Sequence, residues 1–159
     1  MTTRSVIGVM HGSKAKTVYC HHDGYLSYNG QILQEHYDSP KANHLVALGN
    51  MSSLGRNLSA PEGVVHSYRD PLIGVCVFYK RDQNPEVTDE GFQVCQSDAE
   101  LFETYDDCEY FYIMQDGVWM VSRGAGSEWK LLTDALKEDR ESGFKAPSIT
   151  RLIGMAEEA

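Results

Sequence analysis

The chain has 159 residues, 42% of them apolar, and a net charge of −9; that is the size of one domain, roughly 100–200 residues, and enough to bury a core without disulfides or metals. No apolar run nears the ~18 residues that span a membrane, so no membrane partner is expected. Residues 1–60 carry five Lys/Arg against three Asp/Glu and residues 61–159 nine against twenty, and a surface of that sign repels phosphate backbones, which excludes non-specific nucleic-acid binding.

Residues 5–10 are apolar and β-branched, residues 11–14 supply turn chemistry, and residues 17–20 resume a strand pattern, which together predict a hairpin. Asp23-Gly24 ends its second strand. A loop of Gly, Ser, Tyr and Asn leads to a short helix over 31–37, capped by Asn29 or Gly30, with Ile32, Leu33, His36 and Tyr37 on one face. Ser39-Pro40 reads as the N-cap and first position of a second helix that buries Ala42, Leu45 and Val46 and stops at Gly49. Residues 50–63 read as a loop anchored by Leu54 and Leu58. The most apolar run, 72–79, is too short for a buried helix and predicts a central strand; residues 80–90 predict an exposed, flexible connection.

Residues 92–95 alternate as a strand, and Ser97 with Glu100 forms a capping box that opens a short helix carrying Leu101, Phe102 and Tyr105. Asp116-Gly117 between the aromatic and β-branched runs 109–114 and 118–121 is a strong hairpin signal. Ser127 is placed to cap a last helix with Trp129, Leu132, Ala135 and Leu136 inward and Lys130, Asp134, Lys137 and Glu138 outward, ending near Gly143. The expected architecture is α+β: one domain over 1–143, a mostly antiparallel sheet of five to six strands built on two hairpins, and three to four helices packed on one face. Residues 144–159 form a tail that could supply a short helix docking on the body or on a second subunit of a homo-oligomer.

Site-type side chains are densest from Tyr19 to Gly30. Alternation along a strand puts Tyr19, His21 and Asp23 on one face and Cys20 and His22 on the other, so the two histidines are not expected to pair, and Cys20 is not expected to couple to a neighbouring histidine as a nucleophile. His21-x-Asp23 suits an acid–base couple, or a metal if His36 or another histidine joins it. No stretch has the spacing of a metal site, and no metal or other cofactor is expected. The loop from Gly24 to Gly30 enters a helix N-terminus, which favours an anion, with Tyr25 and Tyr28 placed to flank a ring. The candidate ligand-binding set is therefore Tyr19, His21, Asp23, Gly24, Tyr25, Tyr28, Asn29, Gly30 and His36, with no catalytic residue assigned. The plainer alternative is a turn with half-buried tyrosines. Cys20, Cys76, Cys95 and Cys108 lack CxxC spacing and are expected to be free thiols, and the first residues hold too short an apolar run for a signal peptide, so a cytoplasmic protein is expected.

The segments Thr3-Arg4-Ser5-x-Ile7, Val18-Tyr19-Cys20-His21-x-Asp23-Gly24-Tyr25, Gly30-x-Ile32-Leu33-x-x-His36-Tyr37 and Leu48-Gly49-x-x-Ser52-x-Leu54-Gly55 resemble small proteins of tailed phages and prophages. His22 departs from that pattern, which often has an aromatic there. The resemblance implies a setting, the cytoplasm of a bacterial host, and transfers no site residue. It leads to an expected accessory protein that binds a host or defence component, either a protein or a small anionic, nucleotide-like ligand, at the junction of His21, Asp23, Gly24 and Tyr25. Two other readings are a metal-assisted phosphoester or nucleotide hydrolase, and an acidic mimic of nucleic acid built on the acids between Glu86 and Glu141.

Overall fold

The centre of the sheet is the N-terminal hairpin. In the computed structural model, which describes residues 2–84, 86 and 90–145, β1 (Ser5–His11) pairs antiparallel with β2 (Lys14–Cys20), placing Val6 opposite Tyr19 and Ile7 opposite Val18. The outer edge of β2 is shared. β3 (Met51–Ser53) joins it in parallel at Cys20 and is itself followed by β4 (Val77–Phe78), while β5 (Gln93–Cys95) pairs antiparallel with residues 15–17. On the other side β1 takes β6 (Tyr110–Gln115) in parallel, with Ser5 opposite Tyr110. β6 returns into β7 (Val118–Ser122) through Asp116 and Gly117, whose φ values of 52° and 79° suit the twist of a tight hairpin. β8 (Lys130–Leu131) completes the order β4-β3-β2-β1-β6-β7-β8.

Alternation gives this sheet two apolar faces. Ile7, Val18, Tyr112, Met114, Trp119 and Val121 meet Leu33 of α1 (Gln31–His36), Leu45 and Val46 of α2 (Ser39–Leu48) and Leu132 and Leu136 of α4 (Leu132–Lys145). Leu33 and Leu45 are 0% exposed, and burial of that completeness stabilises by about 2 kcal/mol per side chain. On the reverse face Val6, Phe111 and Ile113 pack against Leu101 and Phe102 of α3 (Asp98–Thr104), with Tyr105 and Cys108.

The α+β class and the mainly antiparallel sheet agree with the sequence reading, and both hairpins and the Ser97 cap form where expected, Ser97 Oγ accepting from the Glu100 N–H at 3.1 Å. Among the described residues the strands number eight rather than five or six, because β3, β4, β5 and β8 are two or three residues long and show no period. The helices cover both faces rather than one, α3 lying opposite the others. The apolar run 72–79 is not a central strand. The chain turns at Gly74, whose φ is 85°, leaving Ile73 97% exposed and only Val77–Phe78 in the sheet, at its end. Asp38 rather than Ser39 caps α2, its Oδ1 accepting from the Lys41 N–H at 3.0 Å. The last helix starts at Leu132, since residues 130–131 pair with β7 instead, and it runs past Gly143 to Lys145. Residues 146–159, most of the proposed tail, lie outside the described residues.

Nor is the start of the 80–90 connection loose. A π-helical turn, Tyr79–Gln83, carries Asp82, only 6% exposed at its side chain, which accepts from the Phe78 N–H at 2.8 Å and from Arg81 Nε at 2.9 Å and lies 3.5 Å from His66 Nε2. His66 accepts from the Leu72 N–H at Nδ1 and donates from Nε2 to the Cys76 carbonyl, both at 2.9 Å. Arg81 also donates to the carbonyls of Leu58 and Cys76 at 2.7 and 3.0 Å. Buried polar groups are stable only when paired, and here the pairing holds a long connection that has little strand structure of its own. No helix among the described residues is long and apolar enough to cross a membrane.

Candidate functional site

At the C-terminal end of β2 the backbone takes three partners in succession within a few residues. β5 takes residues 15–17, the Asn50 side chain accepts the Tyr19 N–H at 2.8 Å, and β3 takes Cys20, with the N–H groups of His21 and His22 donating to Met51 and Ser52 carbonyls at 3.1 and 3.0 Å. The strand stops at Cys20 and the chain turns at Asp23, whose φ is 58°, a left-handed value that a short polar side chain tolerates. Gly24 then passes under the start of β1. Its N–H donates to the Thr3 carbonyl at 2.8 Å, its carbonyl accepts from the Tyr112 hydroxyl at 2.6 Å, and a Cβ there would lie 2.7 Å from Ser5 Cβ. Gly24 is a wedge that has no room for a side chain.

Strand alternation places Tyr19 and His21 correctly: the Tyr19 hydroxyl and His21 Nδ1 are 2.7 Å apart. Burial pushes the phenol up to about 12, so it keeps its proton and donates it to Nδ1, which leaves the N–H of the neutral ring on Nε2. Burial first, then the neighbouring His22 and Arg4, holds the His21 imidazole below its ordinary value, so it is uncharged near neutrality. Asp23 does not join it by a hydrogen bond or ion pair, because the strand ends at Cys20 and the chain turns at Asp23. The same turn brings together what alternation separates, for the rings of His21 and His22 sit edge to face at 4.6 Å. Arg4, unforeseen from sequence, borders this corner, with Nη1 3.7 Å from Asp107 Oδ2. The sequence signal for Arg4 is weak, a basic residue one position before a strand, and there is none for Asp107.

Beneath this corner Asn29 is 0% exposed. Its Nδ2 donates to Ser5 Oγ at 3.2 Å, the His22 carbonyl at 3.3 Å and Cys20 Sγ at 3.4 Å, and its N–H donates to the Asp23 carbonyl at 3.1 Å. Asn29 is therefore an internal brace and not a helix cap. Cys20 is buried with it, burial pushing the thiol up to about 12, so it carries no thiolate for nucleophilic attack. All four cysteines are buried and free, as the spacing implied.

The loop does not present a free helix end at Gly30. A π-helical turn, Leu26–Gly30, runs directly into α1, and the N–H groups of Tyr28 and Gly30 already donate to the Tyr25 carbonyl. Gly30 fits against the Tyr112 ring, 3.3 Å from where its Cβ would stand. Tyr25 and Tyr28 remain 40% and 39% exposed, their centroids 6.2 Å apart. His36 lies at the far end of α1, in a groove of about 460 Å³ with Tyr37, Lys41 and Trp119, and takes no part in the His21 corner. No family model, curated protein or solved structure matches the chain. Among the described residues no three His, Cys, Asp or Glu side chains group as metal ligands. What the corner offers chemically is a fixed hydrogen-bond donor at His21, a guanidinium at Arg4 and two part-exposed phenols on a braced loop.

Proposed function

We propose that the chain is a phage-type accessory protein that works in the bacterial cytoplasm by binding a protein of its host, with the loop from His21 to Tyr28 as the contact surface. The observation that carries this reading is the Tyr25–Tyr28 pair, large amphipathic rings left about two-fifths exposed on a backbone that Gly24 and Asn29 hold rigid. Rigid tyrosines supply interface area at small entropic cost and are typical anchors of protein interfaces. The raised Cys20 thiol supports binding over nucleophilic turnover at this corner.

The test is affinity capture from host lysate with the wild-type chain and with Tyr25→Ala/Tyr28→Ala, quantified by mass spectrometry. We expect a specific host protein to be depleted at least tenfold in the variant capture while its thermal midpoint stays within a degree or two of wild type. Equal capture by both chains, or turnover of a phosphoester that His21→Ala abolishes, would overturn the proposal.

A further inference from the structure

The face of the sheet that carries α3 is longer than the helix that covers it. Seven residues of helix, Asp98–Thr104, extend about 10 Å at 1.5 Å per residue, whereas the seven residues of β1 extend about 23 Å at 3.3 Å per residue. α3 covers the half near Tyr105 and Cys108 and leaves the half near the β1–β2 turn open. There Met10, Ala15, Ile113 and Met120, one from each of four adjacent strands, form the floor of a cavity of about 310 Å³, walled by Leu101 of α3 and by Trp129. It is separate from the His21 corner, since Ala15 and Tyr19 stand about 13 Å apart along the strand.

The cavity is built on one side and charged on one side. The Trp129 indole stacks on Phe102 at 6.0 Å and 25°, and its Nε1 donates to Asp98 Oδ2 at 3.1 Å, which fixes both the ring and the carboxylate. Asp98 Oδ1 has no protein donor among the described residues, and Ser13, Ser97 and Gln115 complete a polar rim that contains no Lys, Arg or His. Thioethers and an indole suit an apolar or aromatic body, a volume about twice that which takes up benzene admits a substituted ring with room to spare, and a lone carboxylate on an acidic protein selects a cation and repels an anion. We infer that this cavity is a binding site for a small cationic amine with an aromatic or compact apolar body, the ammonium at Asp98 and the body over Met10, Ile113 and Met120.

The full chain, labelled with ¹⁵N, is titrated at neutral pH with benzylamine, benzyl alcohol and benzoate, three probes of nearly one shape and different charge. The two indole N–H signals are read separately: Trp129 lines the cavity, while Trp119 is buried on the opposite face with its Nε1 bonded to the Tyr37 carbonyl. The expected result is a saturable shift of the Trp129 signal alone, with benzylamine at least tenfold tighter than benzoate and benzyl alcohol between them. Asp98→Asn should bring benzylamine to within about twofold of benzyl alcohol, and Ala15→Phe, which fills the floor, should abolish the shift. If Ala15→Phe loses the native Trp119 signal, Met120→Phe, at a half-buried position of the same floor, takes its place. No saturable shift, equal movement of both indoles, benzoate binding as well as benzylamine, or Asp98→Asn leaving the order unchanged would each overturn the assignment.

Discussion

Asp82 shows how much of this fold hangs on single buried groups. Burial pushes its carboxyl up, but the Arg81 hydrogen bonds, the Phe78 N–H and the charge of Arg81 outweigh burial and hold it below its ordinary value. A carboxylate whose folded value is depressed adds stability above its unfolded value of ~3.9 and loses it as pH falls through the lower folded value. Urea midpoints should therefore decline as pH drops from about 5 to about 3, and Asp82→Asn should flatten that decline. Asp82→Ala, which strands Arg81, His66 and the Phe78 N–H, should cost about 3 kcal/mol at pH 7; a loss under about 1 kcal/mol in equilibrium unfolding would contradict the geometry. Gly24→Ala belongs to the same scale. The added methyl meets Ser5 Cβ at 2.7 Å and the Thr3 carbonyl at 2.8 Å, and such overpacking typically costs 1–3 kcal/mol. It should also loosen Tyr25 and Tyr28, so weaker partner capture should accompany the stability loss.

At the scale of elements, what could be read in advance was what is local. The Asp116-Gly117 hairpin, the Ser97 cap and the Tyr19–His21 pair each depend on residues within a few positions of one another, and each stands as the spacing indicates. The misses have one physical cause, partners far away in the chain. Residues 72–79 look like a central strand because their apolarity is visible and the turn at Gly74 is not, and Cys76 spends its side chain on Gly55 and Tyr37 instead of on a sheet face. Alternation separates His22 from His21 only while the strand continues, whereas the edge of β2 passes to β3 and the strand ends at Cys20. Arg4 and Asp107 meet only through the register of β1 on β6, which no local pattern encodes. The Asp98–Trp129 bond was illegible for the same reason, with the added obstacle that Trp129 reads as a helix-face residue until β8 takes residues 130–131 out of the helix.

For the whole molecule, β1 is the strand with the most to lose. It is paired along both edges and packed on both faces, while the connection between β3 and β4 leaves Val64, Val65 and Ile73 in solvent. Amide exchange followed by mass spectrometry should find β1 and β6 slowest, opening only with global unfolding, and residues 60–74 fastest. Comparable rates in β1 and in that connection would mean that the sheet is not the cooperative unit described.

The parallel seam between β1 and β6 also imposes an order in time. The β1–β2 hairpin can close as soon as its own residues are made, but Ser5 must wait for Tyr110, about a hundred residues later in synthesis. Until then the nascent chain carries an open strand edge with Val6, Ile7 and Val9 uncovered, the kind of edge that other strands add to. A ribosome paused before Tyr110 would hold a hairpin primed to pair with the wrong chain, and the same pause would expose the Tyr25–Tyr28 loop before the Tyr112 hydroxyl arrives to hold Gly24 in place.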